Sequence, residues 1–120
     1  MEGPVSEEVM KFYRLFSGPD NKTHIEELPL SALPTIDSSQ SAVAVFFRGY
    51  PAGYFLDWHP APRRQWVVLM KGEVEFGLED GSTHKLSPGD AFLAEDLTGK
   101  GHTARVGPEP LFWIVVPLAG

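Results

Sequence analysis

The sequence predicts a single all-β domain, a barrel or sandwich, on three observations. Its 120 residues include 12 glycines and 11 prolines, which punctuate short runs of β-branched and aromatic side chains. Glu73, Val74, Glu75 and Phe76 alternate polar and apolar, the period of a strand with one wet face and one core face. Glu79-Asp80-Gly81-Ser82 and Ser87-Pro88-Gly89-Asp90 separate such runs with the residue types that tight reversals need.

Taken in order, residues 6–16 admit two readings. Val5, Val9, Phe12 and Phe16 fall on one helical face, with Ser6 as cap and Gly18 as stop. The expectation is a short N-terminal helix; the alternative is that KFYRLF forms a strand. Strands are then expected at 42–48, 54–59, 65–71, 73–78, 91–94, 102–106 and 111–117. Phe112 to Val116 is apolar throughout, so that strand is expected to be covered on both faces, by the core and by a partner. Residues 96–101 form a third, glycine-containing turn. The domain divides into an N-terminal extension with leading strands (1–41) and a barrel core (42–117).

Composition narrows the function. Hydrophobic residues make up 42% and charged residues 22% of the chain, the range of a globular protein with its own core. With no cysteine, neither a disulfide framework nor a thiolate zinc site is available. The N-terminus lacks a basic region followed by an apolar run, and no apolar segment reaches the ~18–20 residues of a membrane span. A net charge of −6 disfavours nucleic acid and anionic membranes as partners. The expected setting is the cytoplasm, in soluble form.

The most informative segment is GYFLDWHPAPRRQWVVLMKG, residues 53–72. Gly53, His59, Ala61, Gln65 and Gly72 resemble in spacing the first motif of the cupin superfamily, which reads glycine, His-x-His, glutamate, glycine. Ala61 stands where the second histidine would be and Gln65 where the glutamate would be. Residues 89–106 resemble the second motif: Gly89 opens it, Glu95 replaces its proline, and His102 follows Gly99 and Lys100-Gly101. The wording PGDAFLAEDLTGKGHTARV, with RLFSGPDNKTHIEELPL near the N-terminus, is similar to a subgroup of small single-domain cupins. The resemblance implies a double-stranded β-helix, or jelly roll, and in its usual form a divalent metal held by three histidines and a glutamate.

Residue-by-residue transfer gives this chain only His59 and His102 as metal ligands. Imidazole suits iron, manganese, nickel or zinc, but a functional site usually needs a third protein ligand. Gln65, Asp57, Glu95, Asp96 and His24 are the candidates. Asp57 shares the parity of His59 on its strand and is expected to point into the same barrel. Gln65 shares the parity of Val67 and Leu69, so its amide enters the core, where hydrogen-bonding His59 would satisfy it.

Arg63 and Arg64 lie in a proline-flanked loop, either solvated or folded over the barrel mouth to pair with a carboxylate or phosphate of substrate. Gly99-Lys100-Gly101 lacks the spacing of a phosphate loop and reads as a turn delivering His102 into the barrel. His84 is expected at the surface. Trp58 and Trp66 are expected outside the barrel, on a homodimer interface or against the N-terminal segment.

Two functions follow. The first is an enzyme acting on a small polar metabolite through His59, Gln65 and His102. It would use either a metal or metal-free acid/base chemistry by imidazoles that titrate near neutrality. The second is a non-catalytic binding module that has lost its metal site. The fold cannot choose between them.

Overall fold

A computed structural model describes residues 11–29 and 39–119. Within them the chain forms ten strands in two sheets: β1 (Phe12–Ser17), β2 (Thr23–Leu28), β3 (Phe46–Tyr50), β4 (Phe55–His59), β5 (Gln65–Lys71), β6 (Val74–Gly77), β7 (Thr83–Leu86), β8 (Ala91–Glu95), β9 (His102–Val106) and β10 (Leu111–Pro117). One sheet has the order β2-β1-β8-β5-β10-β3, the other β4-β9-β6-β7. Only β1 and β8 pair in parallel.

The two inner faces make the core. Along β10, Leu111, Trp113, Val115 and Pro117 are buried, with Phe112, Ile114 and Val116 between them. Val67 and Leu69 of β5, Val74 and Phe76 of β6, and Phe92 of β8 join them. Each such side chain contributes roughly 1.5–3 kcal/mol over leaving it in water. The alternation predicted for residues 73–76 is present, with Val74 and Phe76 buried and Glu75 half-buried.

The N-terminal expectation needs correcting. Residues 12–17 are strand, not helix; residues 6–10 lie outside the described ones. Tertiary pairing overrides the local periodicity, because β1 is hydrogen-bonded on both edges, to β2 and to β8. Leu15 is the one fully buried side chain of this strand and sits wholly in the core. The strand at β2 is missed from sequence because Thr23-His24-Ile25-Glu26-Glu27-Leu28 shows little apolar patterning.

The first barrel strand also starts later than expected, at Phe46, and Ala42 makes a single bridge to Leu118. The outer face of β10 is open within the chain: Phe112 is 48% exposed, and Phe47, opposite Ile114 on β3, is 78% exposed. Among the described residues no helix is long and apolar enough to cross a membrane.

Candidate functional site

His59 ends β4 and His102 opens β9, and the two are direct cross-strand partners. Their ring centroids lie 4.6 Å apart. The turn before His102 makes this possible. Gly101 has φ +82°, and a Cβ added there would collide with the His59 carbonyl oxygen. Only glycine lets the two strands meet so closely at this point.

Each ring is held by its Nδ1. His59 Nδ1 lies 2.7 Å from the Asp57 carbonyl oxygen, to which it donates. His102 Nδ1 lies 2.6 Å from Oδ2 of Asp96, and the same oxygen accepts from the Thr23 hydroxyl at 2.8 Å. Asp96 is 0% exposed and His102 5%. A hydrogen bond at Nδ1 fixes the tautomer and leaves Nε2 as each ring's working atom. Phe76 packs edge-on against His102 at 5.3 Å, which limits ring rotation.

Both imidazoles line a cavity of about 270 Å³ between the sheets. Gln65, Arg48, Arg63 and Trp113 also line it, and the remaining wall is largely apolar. Gln65 therefore points inward as its parity predicts. The hydrogen bond to His59 expected for it does not form, and its amide faces the cavity without a side-chain partner.

Asp57 is the clearest departure. Residues Leu56 and Ala104 pair, and His59 and His102 pair, so β4 has one more residue than β9 between the two pairs. That bulge reverses the side-chain parity. Leu56 and His59 both line the cavity, while exposed Asp57 accepts the Trp58 backbone N–H on its own carboxylate.

Arg64 is also elsewhere. Its Nε donates to Glu95 Oε2 at 2.6 Å, and Arg14 Nε donates to Oε1 of the same carboxylate at 2.6 Å. Burial raises the Glu95 carboxyl pKa, but the hydrogen bonds from Arg14 and Arg64 outweigh it, and the net shift is downward. Glu95 and Arg64 thus pair with each other away from the pocket. His24 pairs with Asp20 at 3.0 Å on an exposed hairpin. Half-buried His84 is 3.0 Å from the Ser82 hydroxyl.

The tryptophans outside the barrel are packed. Trp66 meets the Phe12 ring edge-on at 6.2 Å and donates to Gln40. Lys100 sits 4.5 Å over the Trp58 ring.

The metal set implied by the cupin resemblance does not fit these residues. Buried Ala61 offers a methyl group to the cavity. Asp96 is committed to His102 and Thr23, and Glu95 to two arginines. Among the described residues no cluster of three or more His, Asp or Glu side chains could hold a metal ion. Two imidazoles and an amide remain.

Three features of the site escaped the sequence reading. Asp96 was considered only as a ligand, not as the partner of His102. Arg48 and Trp113 were not singled out, although their places on inward-facing positions of β3 and β10 follow from period two once the register is known.

No family model and no curated protein matches the chain. Solved structures do. The DMSP lyase DddQ from Ruegeria pomeroyi DSS-3 superposes with a TM-score of 0.53 at 27% identity, over 68% of this chain and 40% of that one. An uncharacterised double-stranded β-helix protein from Klebsiella pneumoniae gives 0.50 at 27% identity, over 68% and 76%. A cupin domain from Bordetella pertussis gives 0.50 at 20% identity, over 69% and 88%, a likeness of fold alone. The chain spans about two fifths of the length of the DMSP lyases it matches, 38% and 40%. Two facing sheets, cross-strand histidines at the cavity and these structural neighbours lead to one conclusion: the chain has the cupin fold.

Proposed function

We propose that the chain is a small-molecule enzyme that moves protons with His59 and His102, without routing the reaction through a metal. The observation that carries this reading is the paired imidazoles, each held by Nδ1 in one tautomer and each lining the same cavity. A ring anchored on a buried carboxylate is a positioned proton carrier.

The reaction that suits the pair is enolisation of a carbonyl compound. His59 Nε2 takes the proton from the carbon next to the carbonyl, and that C–H electron pair becomes the new C=C bond. His102, protonated and held by Asp96, gives its Nε2 proton to the carbonyl oxygen, so a neutral enol forms. Return of a proton to carbon completes an isomerisation, an epimerisation or the first half of an elimination. Gln65 supplies an amide to orient the substrate. The DddQ neighbour is a lyase, which is consistent with proton chemistry in a barrel of this kind.

The test uses 2-oxobutanoate and 2-oxopentanoate in D₂O, followed by proton NMR. The expected result is loss of the C3–H signal faster than in buffer, abolished by His59→Gln and by His102→Asn. If either compound raises the thermal midpoint while its C3–H signal decays at the buffer rate, the chain is a binding module instead.

A further inference from the structure

Trp113 is only 8% exposed, and its indole N–H, itself without accessible surface, has no hydrogen-bond partner among the described residues. Trp113 lines the cavity that holds both imidazoles. Its direct cross-strand neighbour is Arg48, which lines the same cavity and stands at its exposed edge on β3.

The second lining cation is Arg63, exposed in the loop after β4. Neither Arg48 nor Arg63 forms an ion pair with a carboxylate of the described residues, whereas Arg14 and Arg64 do. Among the described residues no aspartate or glutamate lines the cavity. In a chain of net charge −6, this pocket is locally cationic.

We infer that the cavity selects small carboxylates, with Arg48 and Arg63 compensating the negative charge and the Trp113 ring forming part of the wall beside them. Two exposed guanidinium groups and a largely apolar wall suit a ligand with an anionic end and a short apolar body. The wall around Phe76, Phe92 and Val115 accommodates that body. The volume lies just below the ~300–1,000 Å³ typical of ligand pockets, so the ligand is small. This inference names the substrate class of the site proposed above, and it concerns binding rather than proton transfer.

The test measures binding of butanoate, hexanoate and 2-oxobutanoate beside their neutral primary amides, by calorimetry and by the indole N–H cross-peaks of the three tryptophans. Trp113→Phe identifies the relevant cross-peak. The expected result is that a carboxylate binds at least about tenfold more tightly than its amide and moves the Trp113 cross-peak. Arg48→Gln and Arg63→Gln each weaken it by about tenfold or more, the scale of one charge-assisted hydrogen bond. Both arginines are exposed, so these variants should fold.

Equal affinity for acids and amides, absence of carboxylate binding, or an unmoved Trp113 cross-peak overturns the inference. Tight carboxylate binding without deuterium exchange leaves it standing and removes the proposed catalysis. Deuterium exchange with no preference for the charged ligand does the reverse.

Discussion

Glu95 and Asp96 are adjacent carboxylates at the end of β8, yet the structure uses them in opposite ways. Glu95 gives one oxygen to Arg14 and the other to Arg64, both at 2.6 Å. Both of its oxygens are thus engaged by guanidinium donors, and Glu95 is not among the residues lining the cavity. Asp96 places two donors, Thr23 and His102, on Oδ2, while its Oδ1 is buried without a partner. The first cluster is saturated and joins β1 to the loop before β5. The second is incomplete, and the Nε2 atoms of His59 and His102 are also without protein partners among the described residues. Polar groups that satisfy one another belong to the scaffold. Groups held in place but left unsatisfied are where a site is to be sought.

The largest expected effect comes from Gly101→Ala. The residue has φ +82°, and the added methyl group would meet the His59 carbonyl and the Pro60 nitrogen, both backbone atoms that cannot step aside. Combined strain and overpacking should cost roughly 3 kcal/mol or more. The imidazoles should also separate, and chemical denaturation plus ligand binding would record both losses. A destabilisation below about 1 kcal/mol would show that the close approach of β4 and β9 is not needed.

Asp96→Ala comes next. It leaves His102 Nδ1 and the Thr23 hydroxyl buried without an acceptor, at an expected cost of about 2–3 kcal/mol. It should also free the His102 ring, so proton transfer falls far more than affinity for a carboxylate. Asp96→Asn keeps the shape and can still accept one hydrogen bond, so it should recover most of the stability but not the proton transfer. Equal losses in both variants would mean that Asp96 acts through packing alone.

Much of this fold was legible in the sequence, for reasons that also explain the failures. The seven strands expected from 42 to 117 all exist, because apolar runs bounded by glycine and proline report local burial directly. The cross-strand approach of His59 and His102 was legible from motif spacing. Asp57 was misplaced because a one-residue bulge inverts parity, and alternation carries no signal for a bulge. Arg64 was misassigned because its carboxylate partner lies 31 positions away, beyond any local pattern. The N-terminal strand was obscured because its stability comes from pairing with β8, a contact that spans most of the chain. Trp113 could be recognised as buried, but an unsatisfied N–H is visible only once its surroundings are known.

The smallest effect should come from the saturated carboxylate. Glu95→Gln keeps the side chain's shape and removes its charge, weakening two charge-assisted hydrogen bonds. Both arginines remain partly exposed, so solvent offsets part of the loss, and about 1–2 kcal/mol is expected. The pH dependence follows from the downward shift of the Glu95 carboxyl from its ordinary value of 4.5. A depressed folded-state pKa adds stability that is fully present above the unfolded value and disappears as pH falls through the folded one. The wild type should therefore lose this increment on acidification below about pH 4.5, and Glu95→Gln should lack that part of the acid dependence. Carboxylate binding at neutral pH should be the same in both proteins, because Glu95 contacts neither imidazole. If Glu95→Gln instead weakened ligand binding as much as Arg48→Gln, the two carboxylates would share one network and the division between scaffold and site would fail.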